Sequence, residues 1–385
     1  MNDTNWTGVQ ENTFDEFNTD KIILLCIYIP VFFVALVGNI LVLVMVCMNK
    51  SVRRNVANYF LVNLAIADLL VTIVCIPMTV TVMIYPVWIY GDFMCRTLDF
   101  MQGVSVEGSV LTIVCMGTER YFAIRHPMKV RRICNEFNVK VAIAVTWILA
   151  IITMCPLVIY KRLVVDQHVF VFNNTDYLFN GTQEMTSFHS ETCQETWPSH
   201  SDKTAYDVFL LFIVYIIPGF IVVALYSLIG CSLCRQNHAL NRANSVISND
   251  VKVMASRRKL ARMMIIISIL FALCWLPYFI IIIGTDFYEE FRHTLAKLYP
   301  FALLLAHSHS AQNPILYCFM HRGFLEFLTK LARCQFSSIT NRRQMKNSFN
   351  SSDRTQSLRI SKMNDGTNDE RKRLVVTLSD PGKAV

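Results

Sequence analysis

The chain predicts an all-α membrane protein: a seven-transmembrane helix bundle with a short amphipathic eighth helix. Composition is the first observation. Of 385 residues, 54% are hydrophobic and only 17% are charged, well below the roughly 25% charged of ordinary soluble domains. The second is a set of seven apolar windows, at 22–48, 58–84, 97–124, 139–160, 206–234, 260–284 and 298–320, each long enough to supply the about 20 residues of one bilayer crossing. The third is the sidedness of charge. Lys50, Arg53 and Arg54 after the first window, and Arg125, Lys129, Arg131 and Arg132 after the third, mark those connections as cytoplasmic. The opposite connections are acidic. The net charge of +8 therefore sits largely on the cytoplasmic side and does not point to nucleic acid.

Residues 1–20 are polar and acidic and read as an extracellular, glycosylated tail, with N-x-[ST] sequons at Asn2 and Asn5. Asn173 and Asn180 add two more in the long loop after the fourth window, on the same side. No apolar core precedes a cleavage site in the tail, so the first window is expected to insert as its own anchor. Residues 21–334 form the seven-helix domain. Windows interrupted by Pro, Gly, Ser or Thr still read as helices, because lipid leaves the backbone no other way to satisfy itself short of a closed barrel. Arg257, Arg258, Lys259 and Arg262 make the entry to the sixth helix basic and cytoplasmic.

An amphipathic helix is expected at 322–333, with Phe324, Leu325, Leu328 and Leu331 on one face, lying in the membrane interface against lipid. Cys334 behind it is positioned for palmitate. Residues 335–385 are polar, with few aromatics, and read as a disordered cytoplasmic tail. Ser348, Ser351, Ser352, Thr355, Ser357 and Ser361 there can take phosphate and recruit a partner protein. Most of the thirteen cysteines lie inside apolar windows and behave as small hydrophobes. Cys95, just before the third helix, and Cys193, in the acidic loop, are the two on the oxidising side that fall outside a helix.

Polar groups stand where a bilayer excludes them at several kcal/mol each unless partnered: Asp68, Arg120 and Asn313. The strings that hold or accompany them are LAIADLL (64–70), ERY (119–121), CWLP (274–277) and NPILY (313–317). In this order, each in its own window, they resemble the rhodopsin-like G-protein-coupled receptors. Longer strings at 58–77, 102–115, 193–199 and 257–264 resemble the orexin and allatotropin receptor group, with RFamide receptors next. The resemblance covers about 21–334.

Several expectations follow from that resemblance. It implies a disulfide between Cys95 and Cys193. It makes Asp68 the centre of a sodium site completed by Ser109, Ser310 and Asn313, oxygen groups that suit a hard cation. His309 departs from the family's usual Asn or Ser, and an imidazole there can pair with Asp68 in place of the ion. Arg120 is expected to pair with Glu119 at rest and to meet a heterotrimeric G protein on activation, with Tyr121 completing the string. Trp275 and Pro277, and Asn313, Pro314 and Tyr317, are the expected switches of the sixth and seventh helices. Relatives with an acidic residue at the base of the sixth helix hold the arginine a second time; here that position is Arg257.

The same resemblance implies Gln102 as a polar ligand contact and Glu195 as an acidic contact for an amidated or basic peptide. Thr79, Tyr278, Phe279, Ile282, Tyr299 and His307 are expected to line the pocket by helical phase. Glu195 is placed in a shielded position, Glu184 and Glu191 in the outer, steering field. Glu107, mid-helix, is expected to face other helices as a hydrogen-bonded acid.

Other classes fit less well. An amine receptor requires an Asp at position 102, and an opsin requires a lysine deep in the seventh window, whereas Lys297 lies at its outer edge. A transporter or channel would also bury Asp68 and Glu107, but the chain shows no internal repeat with paired broken helices. No nucleophile, base and orienter occur together, and Cys and His lack ligand spacing. The expectation is a multi-pass plasma-membrane receptor with an extracellular amino terminus, without enzymatic activity or an organic cofactor.

Overall fold

A computed structural model describes residues 19–85, 88–171, 185–242, 248–320 and 322–333. The sequons at Asn2, Asn5, Asn173 and Asn180, the palmitoyl candidate Cys334 and the tail serines lie outside the described residues. Long helices occupy each predicted window. They run over Thr19–Met48, Asn58–Ile84, Gly91–Arg125, Glu136–Tyr160, a fifth built from His200–Leu210, Leu211–Ile216 and Ile217–Arg242, then Ser248–Phe287 and Arg292–Met320. Among the described residues six of these are long and apolar enough to cross a membrane. The seventh is 29 residues long and carries the polar string His307 to Asn313.

Two helices widen where a proline follows. Val71–Cys75 and Leu211–Ile216 are π-helical, and Pro77 and Pro218 stand just beyond them. A proline ring clashes with the carbonyl four residues back, and a wider turn makes room for it. Side-chain caps start the fourth and fifth helices: Asn135 accepts from the Asn138 amide at 2.8 Å and Ser199 from the Asp202 amide at 3.1 Å, satisfying donors that a first turn leaves open.

The third helix is central, packing on the second, fourth, fifth and sixth. The first packs on the seventh and the second, and Gly38 permits the closest approach. A Cβ at Gly38 would overlap the Pro314 ring, so a side chain there would force the first helix off the seventh. Outward faces carry large apolar side chains such as Ile152 at 65% and Phe220 at 75% exposure, as expected where lipid is the solvent. Because lipid is as apolar as the interior, close packing and polar contacts, more than apolar burial, hold such helices together.

The third helix begins earlier than the sequence predicts. It starts at Gly91, where a φ of 73° suits glycine. Cys95 therefore lies inside the helix rather than before it, and its disulfide to Cys193 is present, with the Cα atoms 5.5 Å apart. The acidic loop contains an antiparallel hairpin, strand β1 Lys161–Val171 against strand β2 Met185–Glu195, in register from Lys161↔Glu195 to Val171↔Met185. Helix Arg322–Ala332 matches the expected amphipathic segment, with one correction: Phe324 and Phe327 are buried and Leu325 is 53% exposed. A residue next in sequence lies about 100° around the helix, which moves Leu325 off the face of Phe324.

Candidate functional site

At the outer end the hairpin packs on the third helix, and the disulfide fixes strand β2 there. Register sets Lys161 opposite Glu195, and the ammonium pairs with Asp99 of the third helix and lies 3.6 Å from Glu195. Burial works against charge on Lys161, but Asp99 and Glu195 outweigh it and hold the amine above the ordinary lysine range. Glu195 also accepts from the Trp197 indole at 2.9 Å. The carboxylate expected to be shielded is thus 28% exposed and already shared. Glu191, expected in the outer field, is exposed, and Glu184 lies outside the described residues.

A second ion cluster joins the fifth and sixth helices. The Lys203 ammonium lies 2.6 Å from Asp207 and 2.8 Å from Asp286. One oxygen of Asp286 is buried with no hydrogen-bond partner. Sequence reasoning missed Lys161, Asp99, Lys203, Asp207 and Asp286. The signal was there: an acid near the outer end of an apolar helix needs a cation, and Lys161 and Lys203 stand at the start of a strand and of a helix nearby.

Deeper in, Gln102 and His307 meet as part of a relay from the first helix. The His307 Nε2 lies 3.0 Å from the Gln102 Oε1, and its Nδ1 lies 3.3 Å from the Tyr28 hydroxyl. An amide oxygen only accepts, so Nε2 carries the proton and Nδ1 accepts from Tyr28. The Gln102 amide oxygen is thereby occupied, and its NH2 group is the end left to offer. Aromatic side chains cluster alongside: Tyr278 stands 5.9 Å from Tyr299, 5.7 Å from Phe279 and 5.4 Å from Trp275, ring centre to ring centre. Thr79 is buried in the second helix and Ile282 half-buried in the sixth.

Asp68 is completely buried. Asn313 donates to its Oδ2 at 2.8 Å, and the His309 Nε2 stands 3.4 Å from its Oδ1. The hydroxyls of Ser109 and Ser310 are buried without a hydrogen-bond partner, as is that of Tyr317. Asn39 donates to the Ser310 carbonyl at 2.9 Å, which satisfies backbone loosened by Pro314. Trp275 is 3% exposed and packs 6.1 Å from Phe271, while Gln312 donates to the Cys274 sulfur at 2.9 Å and ties the sixth helix to the seventh. Glu107 is buried, with one oxygen unpartnered.

At the cytoplasmic end Arg120 and Glu119 form an ion pair at 3.1 Å, both largely buried, with Tyr121 beside Phe122. Arg125 donates to Ser232 of the fifth helix at 3.3 Å, a contact the sequence did not reveal. Of Arg257 only the helical backbone lies within the described residues.

A buried acid at the centre of the bundle, an arginine paired at its inner end and a disulfide-pinned lid at its outer end define a membrane receptor whose helices carry a signal. The chain belongs to the 7 transmembrane receptor (rhodopsin family), whose model matches residues 38–317. It is a receptor, not an enzyme. It is 31% identical to the QRFP-like peptide receptor of Branchiostoma floridae, over 83% of this chain and 80% of that one. Identity is 29% to the RYamide receptor of Tribolium castaneum, over 80% and 81%, and 29% to neuropeptide FF receptor 1 of Rattus norvegicus, over 77% and 67%.

Proposed function

We propose that this chain is a plasma-membrane receptor, amino terminus outward, that binds an amidated, basic neuropeptide and activates a heterotrimeric G protein. One observation carries the basic character of the ligand. At the outer end the carboxyl groups of Asp99, Glu195, Asp207 and Asp286 are gathered around Lys161 and Lys203, so in these two clusters acidic groups outnumber basic ones. Such a field raises the arrival rate of a cation. Relatives that span most of the chain and are named for peptides support the peptide class. The Gln102 NH2, presented by His307, suits the carbonyl oxygen of an amidated terminus.

In this reading Thr79, Tyr278, Phe279, Ile282 and Tyr299 line the pocket. Ligand pressure on Trp275 and the Pro277 segment moves the sixth helix, and Arg120 leaves Glu119 for the G protein. The orexin and allatotropin likeness stays within the peptide class, and arrestin binds the phosphorylated tail. The test is nucleotide exchange on purified G protein in membranes holding the full chain. Synthetic peptides ending in Arg-Phe-NH2 and Arg-Tyr-NH2 are compared with their free acids. Exchange driven by the amides, and weakly by the acids, is expected; ion or solute flux without exchange would instead assign the chain to transport.

A further inference from the structure

We infer that Lys161 is the mouth's resident cation: tethered to the receptor's own chain, it stands where a ligand's positive group would stand and so sets how sharply the receptor tells a charged ligand from a neutral one. The inference rests on the peptide reading only for the natural ligand. Lys161 is the first residue of strand β1, directly after the fourth helix ends at Tyr160. Its backbone is clamped there, since the Tyr160 carbonyl accepts from the Thr196 amide at 2.7 Å and from the Thr196 hydroxyl at 2.9 Å. Two residues along the strand, Leu163 is paired with the disulfide-bonded Cys193. The Lys161 side chain is held inward, 15% exposed, between Asp99 of the third helix and Glu195 of strand β2.

Both carboxylates are positioned by groups other than Lys161. Glu195 accepts from the Trp197 indole at 2.9 Å, and that indole stands 4.2 Å from the Tyr160 ring and 5.1 Å from the Tyr206 ring, centre to centre. The ammonium lies 3.6 Å from Glu195, a charge contact too long for a hydrogen bond. Asp99 is fixed by the third helix, three residues before Gln102, so the two share a helix face with Asp99 about 4.5 Å further out. A ligand group arriving just outside Gln102 therefore meets two carboxylates and one fixed ammonium. The lysine cancels one of the two negative charges before any ligand arrives.

Removing that ammonium leaves the carboxylates in place, because both reach water: Asp99 is 36% and Glu195 28% exposed. Lys203 is the contrasting case. Its partner Asp286 is 4% exposed, with one oxygen that has no hydrogen-bond partner, so loss of Lys203 would strand a buried carboxylate at a cost to the fold. At Lys161 the dominant effect is repulsion, since two cations cannot share one pair of acids without opposing each other.

The test uses purified full-length receptor in lipid nanodiscs at low, constant ionic strength. Two probes of nearly the same shape, Nα-acetyl-argininamide and Nα-acetyl-citrullinamide, differ by one positive charge, and thermal midpoints are followed as either is added. Lys161→Gln and Lys161→Met should gain over wild type a saturable upward shift of about 2 °C or more with the arginine probe, and none with the citrulline probe. Lys161→Arg, which keeps the cation, should match wild type, and Asp99→Asn in the Lys161→Gln background should abolish the gain. Equal responses of wild type and both neutral variants would overturn the inference. So would a gain that the citrulline probe shares, because the lysine then fills space and not charge, or loss of folded receptor in both neutral variants, because the lysine is then structural. This readout needs no peptide. Failure of the peptide reading shows separately, as absent nucleotide exchange with the amidated peptides on the wild type. Where those peptides act, the preference for Arg over citrulline should be about fivefold greater in Lys161→Gln than in wild type, and an unchanged preference also overturns the inference.

Discussion

The outer mouth and the bundle centre solve the same problem, charge inside a membrane protein, in opposite ways. At the mouth the Lys161 cluster reaches water: Lys161, Asp99 and Glu195 are 15%, 36% and 28% exposed. Their carboxylates can outnumber their ammoniums because solvent and ligand share the excess. At the centre Asp68 and His309 are dry, and the pair must balance on its own. The mouth is therefore tunable, whereas the centre is stoichiometric. A basic ligand has something to add at the first and nothing to add at the second.

The largest expected effect lies at the centre. His309→Ala leaves Asp68 buried without its partner and should cost about 3–5 kcal/mol of stability in sodium-free buffer, measured as loss of folded receptor on heating. Glu195→Gln at the mouth should change the same quantity by less than about 1 kcal/mol, the range of half-exposed pairs. Equal losses would erase the distinction between the two regions.

Ligand affinity should show the reverse order. Glu195→Gln is expected to weaken an Arg-Phe-NH2 peptide about fivefold, roughly 1 kcal/mol, because Lys161 and Trp197 already share the carboxylate. Glu191→Gln should only flatten the salt dependence of association. Kinetic binding at two ionic strengths separates the two, and a larger loss at Glu191 would move the contact outward.

Smaller again is the relay behind Gln102. Tyr28→Phe removes the donor to His307 and frees the ring to turn. Potency of the amidated peptide should fall two- to threefold, within the about 1 kcal/mol worth of one hydrogen bond. A thermal midpoint that falls in step with potency would mean that Tyr28 acts only through stability.

The helices were legible in the sequence because lipid imposes long apolar runs, and the disulfide and the Glu119–Arg120 pair were implied by the family likeness. The hairpin was not. Lys161–Val171 carries Val164, Val165, Val169 and Val171, a β-branched pattern, yet it lies in a segment that reads by composition as an acidic loop. Missing the register meant missing Lys161 beside Glu195, and with it the partial neutralisation of the expected ligand contact. Cys95 was misplaced for a related reason: Gly91 begins the third helix among polar residues that no apolar window includes. His309 stood out only against the family pattern, and its Nδ1 partner required the fold.

The smallest effect concerns pH. Lys161 is held above its ordinary range, so its contribution to stability is complete below about pH 10.4 and is lost only as pH rises through the higher folded value. Between pH 6 and 9 Lys161 stays charged, so the ratio of peptide affinities for wild type and Lys161→Gln should be constant, and a ratio that drifts across that window would show that Lys161 is coupled to another titrating group in the mouth.

The central claim is that an acidic mouth admits a basic peptide, and replacing the peptide's Arg with citrulline tests it most directly. Citrulline keeps the length and hydrogen-bonding shape of the side chain and removes only its charge. In nucleotide-exchange titrations on the wild-type receptor, the citrulline peptide should be at least tenfold weaker than the Arg peptide, about 1.4 kcal/mol, with the gap narrowing at high salt. Equal potency of the two peptides at low salt would contradict the account.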